Sequence, residues 1–413
     1  MAHAIADKSK LLSTGNTTLP AGAGRMLSIG LLAIGAIALV LTVLGALLGD
    51  ETAKKVALAS YHVGFLVTLG LTLGSMILVM VFHQVNAGWS ATIRRQLENV
   101  MSLVPVCLVF FLPVAILAPI IFHWMDPHYT EGDVIYEAKK SFLNEPFFYV
   151  RAVIYFGAWL YFSQRLYRLS IGQDSDGDRF RTAKARKMSS YGLLIMALTT
   201  AFAAFDWMMS LDYHWFSTMF GVYFFAGFVG VATSLCALIL IMLRRAGSLD
   251  GLVTNEHLHD LGKLMFGFVV FWAYIGFSQY FLIWYGNIPE ETMWFQLRRS
   301  DGWMPYSIAL AFGRFIIPFI VLMARPARRN PMVLGVVAVW LLAFHILDTF
   351  WVVRPTVYGA DHGPVFFGWL DAVAILGPVC IFFGLLARRV VNNPLVPVND
   401  PRMDEAIAHK NYV

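Results

Sequence analysis

The segment Ala203-Ala-Phe-Asp-Trp-Met-Met-Ser-Leu-Asp-Tyr-His-Trp-Phe-Ser217 places a carboxylate, Asp206, beside two long stretches without charge. Residues 191–205 and 215–243 contain no Asp, Glu, Lys or Arg. A hydrocarbon core about 30 Å thick is crossed by roughly 20 apolar residues in a helix. The flanks therefore predict two membrane-spanning helices. Because an ionisable side chain is costly to bury in hydrocarbon, Asp206 becomes a functional candidate.

The rest of the chain has the same character. Hydrophobic residues make up 58% of its 413 residues, charged residues make up 14%, and the mean hydropathy is +0.64. A soluble globular protein is about a quarter charged. We therefore predict an all-α, polytopic membrane protein with ten transmembrane helices, at 26–48, 61–82, 100–122, 147–166, 189–210, 216–243, 261–285, 305–324, 332–353 and 365–386.

The basic residues predict the topology. Of the 31 Lys and Arg residues, 22 fall in the N-terminal segment, in or next to the connections after helices 2, 4, 6 and 8, and in the C-terminal tail. Only seven fall in the other connections. The positive-inside rule places both termini, residues 1–25 and 389–413, in the cytoplasm. Topology also explains the net charge of +5; the lipid bilayer is the expected partner and nucleic acid is not.

Two of the connections on the opposite side are candidates for contact with a partner protein. Residues 123–146 form the longest of these connections and are acidic, and residues 286–304 contain Trp294 and Trp303. Together they predict a docking platform, although interfacial Trp is expected in any membrane protein.

A short internal sequence similarity suggests a structural repeat. Ala204-Phe-Asp206 in helix 5 resembles Ala343-Phe-His-Ile-Leu-Asp348 in helix 9, four helices later. This spacing favours two four-helix bundles, at about 56–211 and 215–354, related by an axis along the membrane normal. Helices 1 and 10 would then be peripheral.

Several ionisable residues share one predicted depth. At about 1.5 Å per residue, six of them lie towards the outer side on five helices: His62, Arg151, Asp206, His345, Asp348 and Asp371. Arg314 lies near the midplane. Asp206, His345 and Asp348 are the leading catalytic candidates. The remaining residues have simpler alternative roles. Arg151 and His62 could extend to the membrane interface, and Asp371 could lie among the lipid headgroups. Arg314 could be a structural counter-ion for one of the acids.

Such a set suits quinol oxidation. That reaction needs a pocket between helices, an imidazole or carboxylate to accept protons, and apolar walls. Candidates for the walls are Tyr155, Trp159, Trp207, Phe224, Tyr274, Tyr280 and Trp351. Proton conduction would need the same acids and a route to the cytoplasm. The candidates for that route are His83, Glu98, His257, His259, Asp260 and Lys263. The alternative for most of them is that they belong to solvated loops. A haem between His62 and His345 is the rival cofactor.

Two longer motifs carry a family resemblance. Residues 205–225, Phe-Asp-Trp-Met-Met-Ser-Leu-Asp-Tyr-His-Trp-Phe-Ser-Thr-Met-Phe-Gly-Val-Tyr-Phe-Phe, and residues 280–290, Tyr-Phe-Leu-Ile-Trp-Tyr-Gly-Asn-Ile-Pro-Glu, resemble the large membrane subunits of bacterial alternative complex III. These subunits belong to the NrfD-like family of polysulfide-reductase membrane subunits. The similarity extends over nearly the whole chain.

The resemblance implies a function and partners. It implies two four-helix bundles with two peripheral helices in the bacterial inner membrane, no prosthetic group in this chain, and quinol or menaquinol as substrate. It also implies a second NrfD-like subunit and periplasmic subunits with iron–sulfur clusters and c-type haems, with a terminal oxidase as a further candidate partner. The binding candidates are then Arg151, His62, Asp371, Arg314 and Tyr280. A secondary transporter and a purely structural anchor remain the alternatives.

Overall fold

The computed structural model describes residues 8–20, 22–299, 302–358 and 367–411, and these residues form helices and connecting segments without a β-strand. Ten long helices, α1 to α10, are Arg25–Leu48, Glu51–Gln84, Gly88–Ile116, Glu145–Asp176, Arg179–Trp207, Phe220–Arg245, Asn255–Gly286, Met304–Met323, Pro331–Tyr358 and Trp369–Val391. Within the described residues, nine are long and apolar enough to cross a membrane. The tenth, α4, contains Arg151 and several Tyr and Trp residues that lower its mean hydropathy.

The predicted all-α, multi-pass membrane architecture is confirmed. The predicted and observed centres of eight helices lie within about five residues of each other, and those of α3 and α5 differ by more. The predicted first residues of the tenth helix, 365 and 366, lie outside the described residues, and α10 begins at Trp369. Residues 1–7 and 412–413 of the two predicted tails are also outside them.

The helix at the centre of the protein is α2. Protein atoms bury 94% of its most apolar stretch, whereas only 17% of the corresponding stretch of α1 is buried. A helix that is apolar on every side belongs inside a helical assembly. Helices α2–α5 pack together as one bundle and α6–α9 as a second, with α2 contacting α6 and α9 between them. Helices α1 and α10 pack on each other beside α2.

Glycines allow α2 to approach its neighbours closely. A Cβ atom on Gly70 would lie 2.5 Å from the Phe228 ring of α6, and one on Gly64 would lie 2.8 Å from the backbone oxygen of Ile375 in α10. Small residues at helix–helix contacts are typical of membrane bundles because association there depends on close packing. These positions bring the two bundles together around α2.

The connections gather at two ends of the bundles. At one, called the terminal end, the Asn16 oxygen accepts from Leu249 N (3.0 Å) and the Thr17 oxygen accepts from Leu395 N (2.7 Å). The opposite, or loop, end carries the α3–α4, α5–α6 and α7–α8 connections. The described parts of the N-terminal segment and the C-terminal tail therefore lie at the same end. Assignment of this end to the cytoplasm stays a prediction.

The start of α3 differs from the prediction. It begins at Gly88, well before residue 100, and carries Arg94 and Glu98 into the protein. Arg94 Nε donates to Glu98 Oε1 (2.9 Å) and its Nη2 pairs with Asp400 of the C-terminal tail. The interpretation of Glu98 as solvated loop is therefore wrong, because ion pairing makes the burial of these charges tolerable. The same correction applies to four more buried residues: His83, His257, His259 and Asp260.

Two tryptophans of the α7–α8 connection, Trp294 and Trp303, have buried side chains. The docking platform itself stays a prediction. Trp294 stacks on Trp215 with ring centroids 4.4 Å apart, which fastens the α7–α8 connection to the α5–α6 connection. These rings stabilise the loop end from within.

Candidate functional site

The first buried ion pair lies in the α2–α5 bundle. Arg151 of α4 donates from Nε to Asp206 Oδ2 (2.8 Å) and from Nη2 to Oδ1 (2.6 Å), a two-pronged contact. Tyr155 donates its hydroxyl to Asp206 Oδ2 (2.7 Å). Both charged side chains are buried. Arg151 therefore does not reach the membrane interface, and it neutralises the acid that the sequence singled out.

His62 lies nearby but does not bond to Asp206. Its Nε2 is 2.6 Å from the backbone oxygen of Trp207. Because a carbonyl only accepts, Nε2 carries the hydrogen. The Nδ1 atom has no hydrogen-bond partner among the described residues. His62 is thus a buried neighbour of the first ion pair, and the alternative of an interfacial histidine is wrong.

The second ion pair lies in the α6–α9 bundle. Arg314 Nη1 of α8 is 2.5 Å from Asp348 Oδ2 of α9, and Arg314 Nη2 is 3.2 Å from His345 Nδ1. The guanidinium group also lies over the Trp272 ring, 4.5 Å from its centroid. Tyr223 of α6 donates its hydroxyl to Asp348 Oδ1. Arg314 is therefore the counter-ion of Asp348, one of the two roles considered for it.

The relation between His345 and Asp348 differs from the one expected. The two share a face of α9 and both are buried, but the Arg314 guanidinium bonds to both of them. Since a guanidinium only donates, His345 Nδ1 accepts and Nε2 carries the hydrogen. No hydrogen-bond partner for Nε2 lies among the described residues. A cavity of about 20 Å³ beside Arg314 has room for one water molecule.

Asp371 belongs to a third, separate pair. It accepts from Arg354 Nε (2.9 Å), from the Ser60 hydroxyl (2.5 Å) and from Gly368 N (2.9 Å). The acid lies in the first turn of α10 and is buried against α2 and α9, so it is not exposed at the surface. The six ionisable residues of similar depth thus do not form one cluster: among the described residues they divide into three centres.

The two bundle centres repeat each other in part. An arginine of α4 pairs with an aspartate of α5, and an arginine of α8 pairs with an aspartate of α9, four helices later in each case. Each aspartate also accepts from a tyrosine, but Tyr155 comes from α4 and Tyr223 from α6. The internal sequence similarity around Asp206 and Asp348 therefore corresponds to an Arg–Asp pair that is present in both bundles. The tyrosine that donates to the aspartate comes from a different helix in each bundle.

The second centre adjoins a large cleft. The cleft measures about 620 Å³ and lies at the loop end between α7 and α8. Tyr223 and Trp272 form the wall between the cleft and the ion pair. The other aromatic walls include Phe220, Tyr274, Phe277, Tyr280, Phe295, Phe312 and Trp351. Of the predicted wall residues, Tyr274, Tyr280 and Trp351 line this cleft, whereas Tyr155, Trp159, Trp207 and Phe224 do not.

The cleft opens where a membrane would lie. Tyr274 and Phe277 are 63% and 66% exposed on the outer surface of α7, and Phe312 is 53% exposed on α8. Residues Leu310–Ile316 of α8 form a π-helical turn that includes Arg314. Such turns are frequent at functional sites because they reorient side chains within a helix. Here the turn places Arg314 inward while Phe312 stays on the outer surface.

The polar part of the cleft contains an arginine that the sequence analysis did not single out. Arg298 donates to the backbone oxygens of Trp294 (2.9 Å) and Val352 (2.6 Å), and its guanidinium lies 3.3 Å from the Trp294 ring centroid. No carboxylate of the described residues forms an ion pair with it. Its sequence signal was an arginine in an outer connection that is otherwise poor in basic residues. Tyr223 and Trp272 were also missed.

These observations show a multi-pass membrane protein with buried Arg–Asp centres and a lipid-facing aromatic cleft. Among the described residues, no group of three or more His, Cys, Asp and Glu side chains converges as a set of metal ligands. A comparison with protein-family models finds no match to this chain, and a comparison with curated proteins finds none either.

Proposed function

We propose that this protein is a membrane subunit of a quinol-oxidising respiratory complex. The quinol ring occupies the cleft between α7 and α8, and Tyr223 and Asp348 receive its proton. The observation that carries this proposal is the shared wall: Tyr223 lines the cleft and donates to the buried Asp348.

The cleft suits an isoprenoid quinol in size and chemistry. Its volume falls within the roughly 300–1,000 Å³ typical of small-molecule sites. Aromatic side chains favour stacking with a quinol ring. The opening between Tyr274, Phe277 and Phe312 lets an apolar tail remain in lipid. Gln279, whose Oε1 accepts from Ser217 (2.8 Å), offers a polar group at the other end.

The ion pair suits proton acceptance. Oxidation of a quinol to a quinone releases two protons and two electrons; this site accepts the first proton, and the second leaves to water at the loop end. The first proton passes from the quinol hydroxyl to Tyr223 as the Tyr223 proton moves to Asp348, which leaves the tyrosine neutral. The positive charge of Arg314 favours the ionised form of Asp348, the form that can accept a proton. The electrons leave to a redox group of a partner subunit at the loop end.

Charge supports the expected orientation and partners. The terminal end holds most of the basic residues and would face the cytoplasm. The loop end would then face the periplasm, where iron–sulfur and c-type cytochrome subunits would dock, with a second NrfD-like subunit alongside in the membrane. A secondary transporter instead predicts interrupted helices at matching positions of two repeats. The interrupted helices are α3 and α8, and α7, the counterpart of α3, is continuous.

Filling the cleft tests the proposal. Ala311→Trp places an indole in the cleft, and Ala36→Trp places the same group on the exposed face of α1. We expect Ala311→Trp to abolish quenching of a fluorescent quinol analogue, heptyl-hydroxyquinoline N-oxide, and oxidation of menadiol by the intact complex. Ala36→Trp should retain both. Wild-type binding and turnover in Ala311→Trp would contradict the proposal.

A further inference from the structure

A second cavity, at the terminal end, has a different chemistry. It measures about 530 Å³ and lies where the first turns of α5 meet the end of α2 and the C-terminal tail. Four cationic side chains line it: Arg179, Arg186, Lys187 and Arg402. The other lining residues are neutral, and no carboxylate is among them. The charged residues of this cavity are therefore all positive, and the cavity is separate from the cleft between α7 and α8.

Three of the four cations of this pocket lack a counter-ion among the described residues. Arg179, Arg186 and Lys187 form no ion pair with a described residue. Arg402 Nε is 3.9 Å from Asp400, but Arg94 already pairs with that acid. Two buried nitrogens of Arg402, Nε and Nη2, have no hydrogen-bond partner among the described residues. Burial lowers the pKa of Arg402, and the charge of Arg94 lowers it further although Asp400 opposes this.

The pocket continues into a lipid-facing surface. Ser190 is its last lining residue on α5. The next exposed residues on the same side of the helix are Leu194 and Leu198, at 66% and 53% exposed. Residues four apart lie above one another on a helix. A ligand held by the cations would therefore have an apolar strip directly beside it, at the level where lipid chains begin.

We propose that this pocket binds the phosphodiester headgroup of an anionic phospholipid, with its acyl chains along Leu194 and Leu198. Basic pockets beside transmembrane helices are suited to acidic lipid headgroups. Arginine and lysine bind phosphate oxygens through charge-assisted hydrogen bonds. A soluble phosphate would satisfy the cations but would leave the apolar strip unused. The strip is the reason for choosing a lipid.

Lipid-dependent stability tests this site. Dioctanoyl-phosphatidylglycerol should raise the Tm of the detergent-solubilised protein, whereas dioctanoyl-phosphatidylcholine and glycerol phosphate should not. The variant Arg179→Gln/Arg186→Gln/Lys187→Gln should lose this increase. A control with Arg244→Gln/Arg245→Gln, also at the terminal end but outside the pocket, should keep it. If the triple variant does not fold, Arg186→Gln alone should raise the lipid concentration for half the Tm shift at least about tenfold, as expected for one lost charge-assisted contact.

Three outcomes would overturn the proposal. An equal Tm increase in the triple variant and the wild type would show that the lipid binds elsewhere. An equal effect of phosphatidylcholine would remove the role of the negative charge. An equal effect of glycerol phosphate would identify a free-phosphate site and not a lipid site.

Discussion

Arg314 of α8 and Asp348 of α9 form an ion pair, with 2.5 Å between Nη1 and Oδ2, inside a bundle of apolar helices. Both side chains are at most 5% exposed. Removing one member of such a pair leaves an uncompensated buried charge, whereas removing both leaves none. Stability and activity should therefore respond differently to substitutions at this pair.

Arg314→Met should destabilise the protein by about 3–5 kcal/mol because Asp348 then lacks its counter-ion. The double variant Arg314→Met/Asp348→Leu should regain most of that stability and still lack quinol oxidation. Equilibrium unfolding in mixed micelles measures the first effect, and menadiol turnover by the intact complex measures the second. A double variant that is as unstable as the single one would argue against a tight pair. A double variant with wild-type turnover would remove Asp348 from the reaction.

Tyr223→Phe removes the hydroxyl between the cleft and Asp348 and keeps the ring. We expect turnover to fall by at least about tenfold, since positioned acid–base groups contribute on the order of 100-fold or more, with binding of heptyl-hydroxyquinoline N-oxide little changed. Tyr155→Phe is the matched control because its hydroxyl donates to Asp206 in the bundle without the cleft. Equal losses in both variants would indicate a structural role shared by the two tyrosines.

The sequence predicted the helices and their depth better than the contacts. Long runs poor in charge define spanning helices, and such a run predicted α4 although its most apolar stretch has a lower mean hydropathy than those of the other nine. Charge at a common depth identified Asp206 and Asp348. Neither signal says which residues meet, because that depends on helix rotation and packing. Tyr223 is one of many aromatic residues in α6, so only the structure singles it out as the neighbour of Asp348.

The cleft itself was beyond prediction for a related reason. It depends on the separation of α7 and α8, and α8 contains a π-helical turn that its apolar composition does not signal. Glu98 was misplaced although Arg94 and Arg95, which pair with it, are near in sequence, because the burial of all three depends on distant residues such as Ser170 of α4, which also donates to Glu98. Buried charge is recognisable as such only when the compensating residues are seen.

A substitution at Gly313 tests how closely that π-helical turn packs against α9. Its backbone oxygen accepts from Trp340 Nε1 (2.6 Å), and a Cβ atom there would collide with the Phe344 ring. Gly313→Ala should therefore destabilise the protein by about 1–3 kcal/mol, the usual range for overpacking. Gly267→Ala, in α7 with open space around it, should be neutral or stabilising by about 0.5–1 kcal/mol. Mixed-micelle unfolding compares them, and equal effects would contradict close packing at Gly313.

The loop end leads to a prediction about stability at low pH. Asp133 in the α3–α4 connection accepts from the Tyr213 hydroxyl (3.0 Å) and from His214 Nε2 (2.5 Å) of the α5–α6 connection. Burial alone would raise the pKa of Asp133, but hydrogen bonds from His214, Tyr213 and two backbone N–H groups outweigh it and lower the pKa to about 2. A lowered pKa in the folded state means that the ionised form stabilises the fold.

This stabilisation is complete above the ordinary value of 3.8 and is lost as the pH falls towards about 2. Asp133→Asn should therefore loosen the α3–α4 connection at pH 5 and make little difference at pH 2. The rate of limited pepsin digestion within residues 126–144 measures this loosening between pH 2 and 4. Hydrogen exchange of the same residues extends the measurement to pH 5. Comparison with the variant at each pH removes the pH dependence of the protease. If wild type and variant differ equally at pH 2 and pH 4, the Asp133 carboxylate does not hold the two connections together.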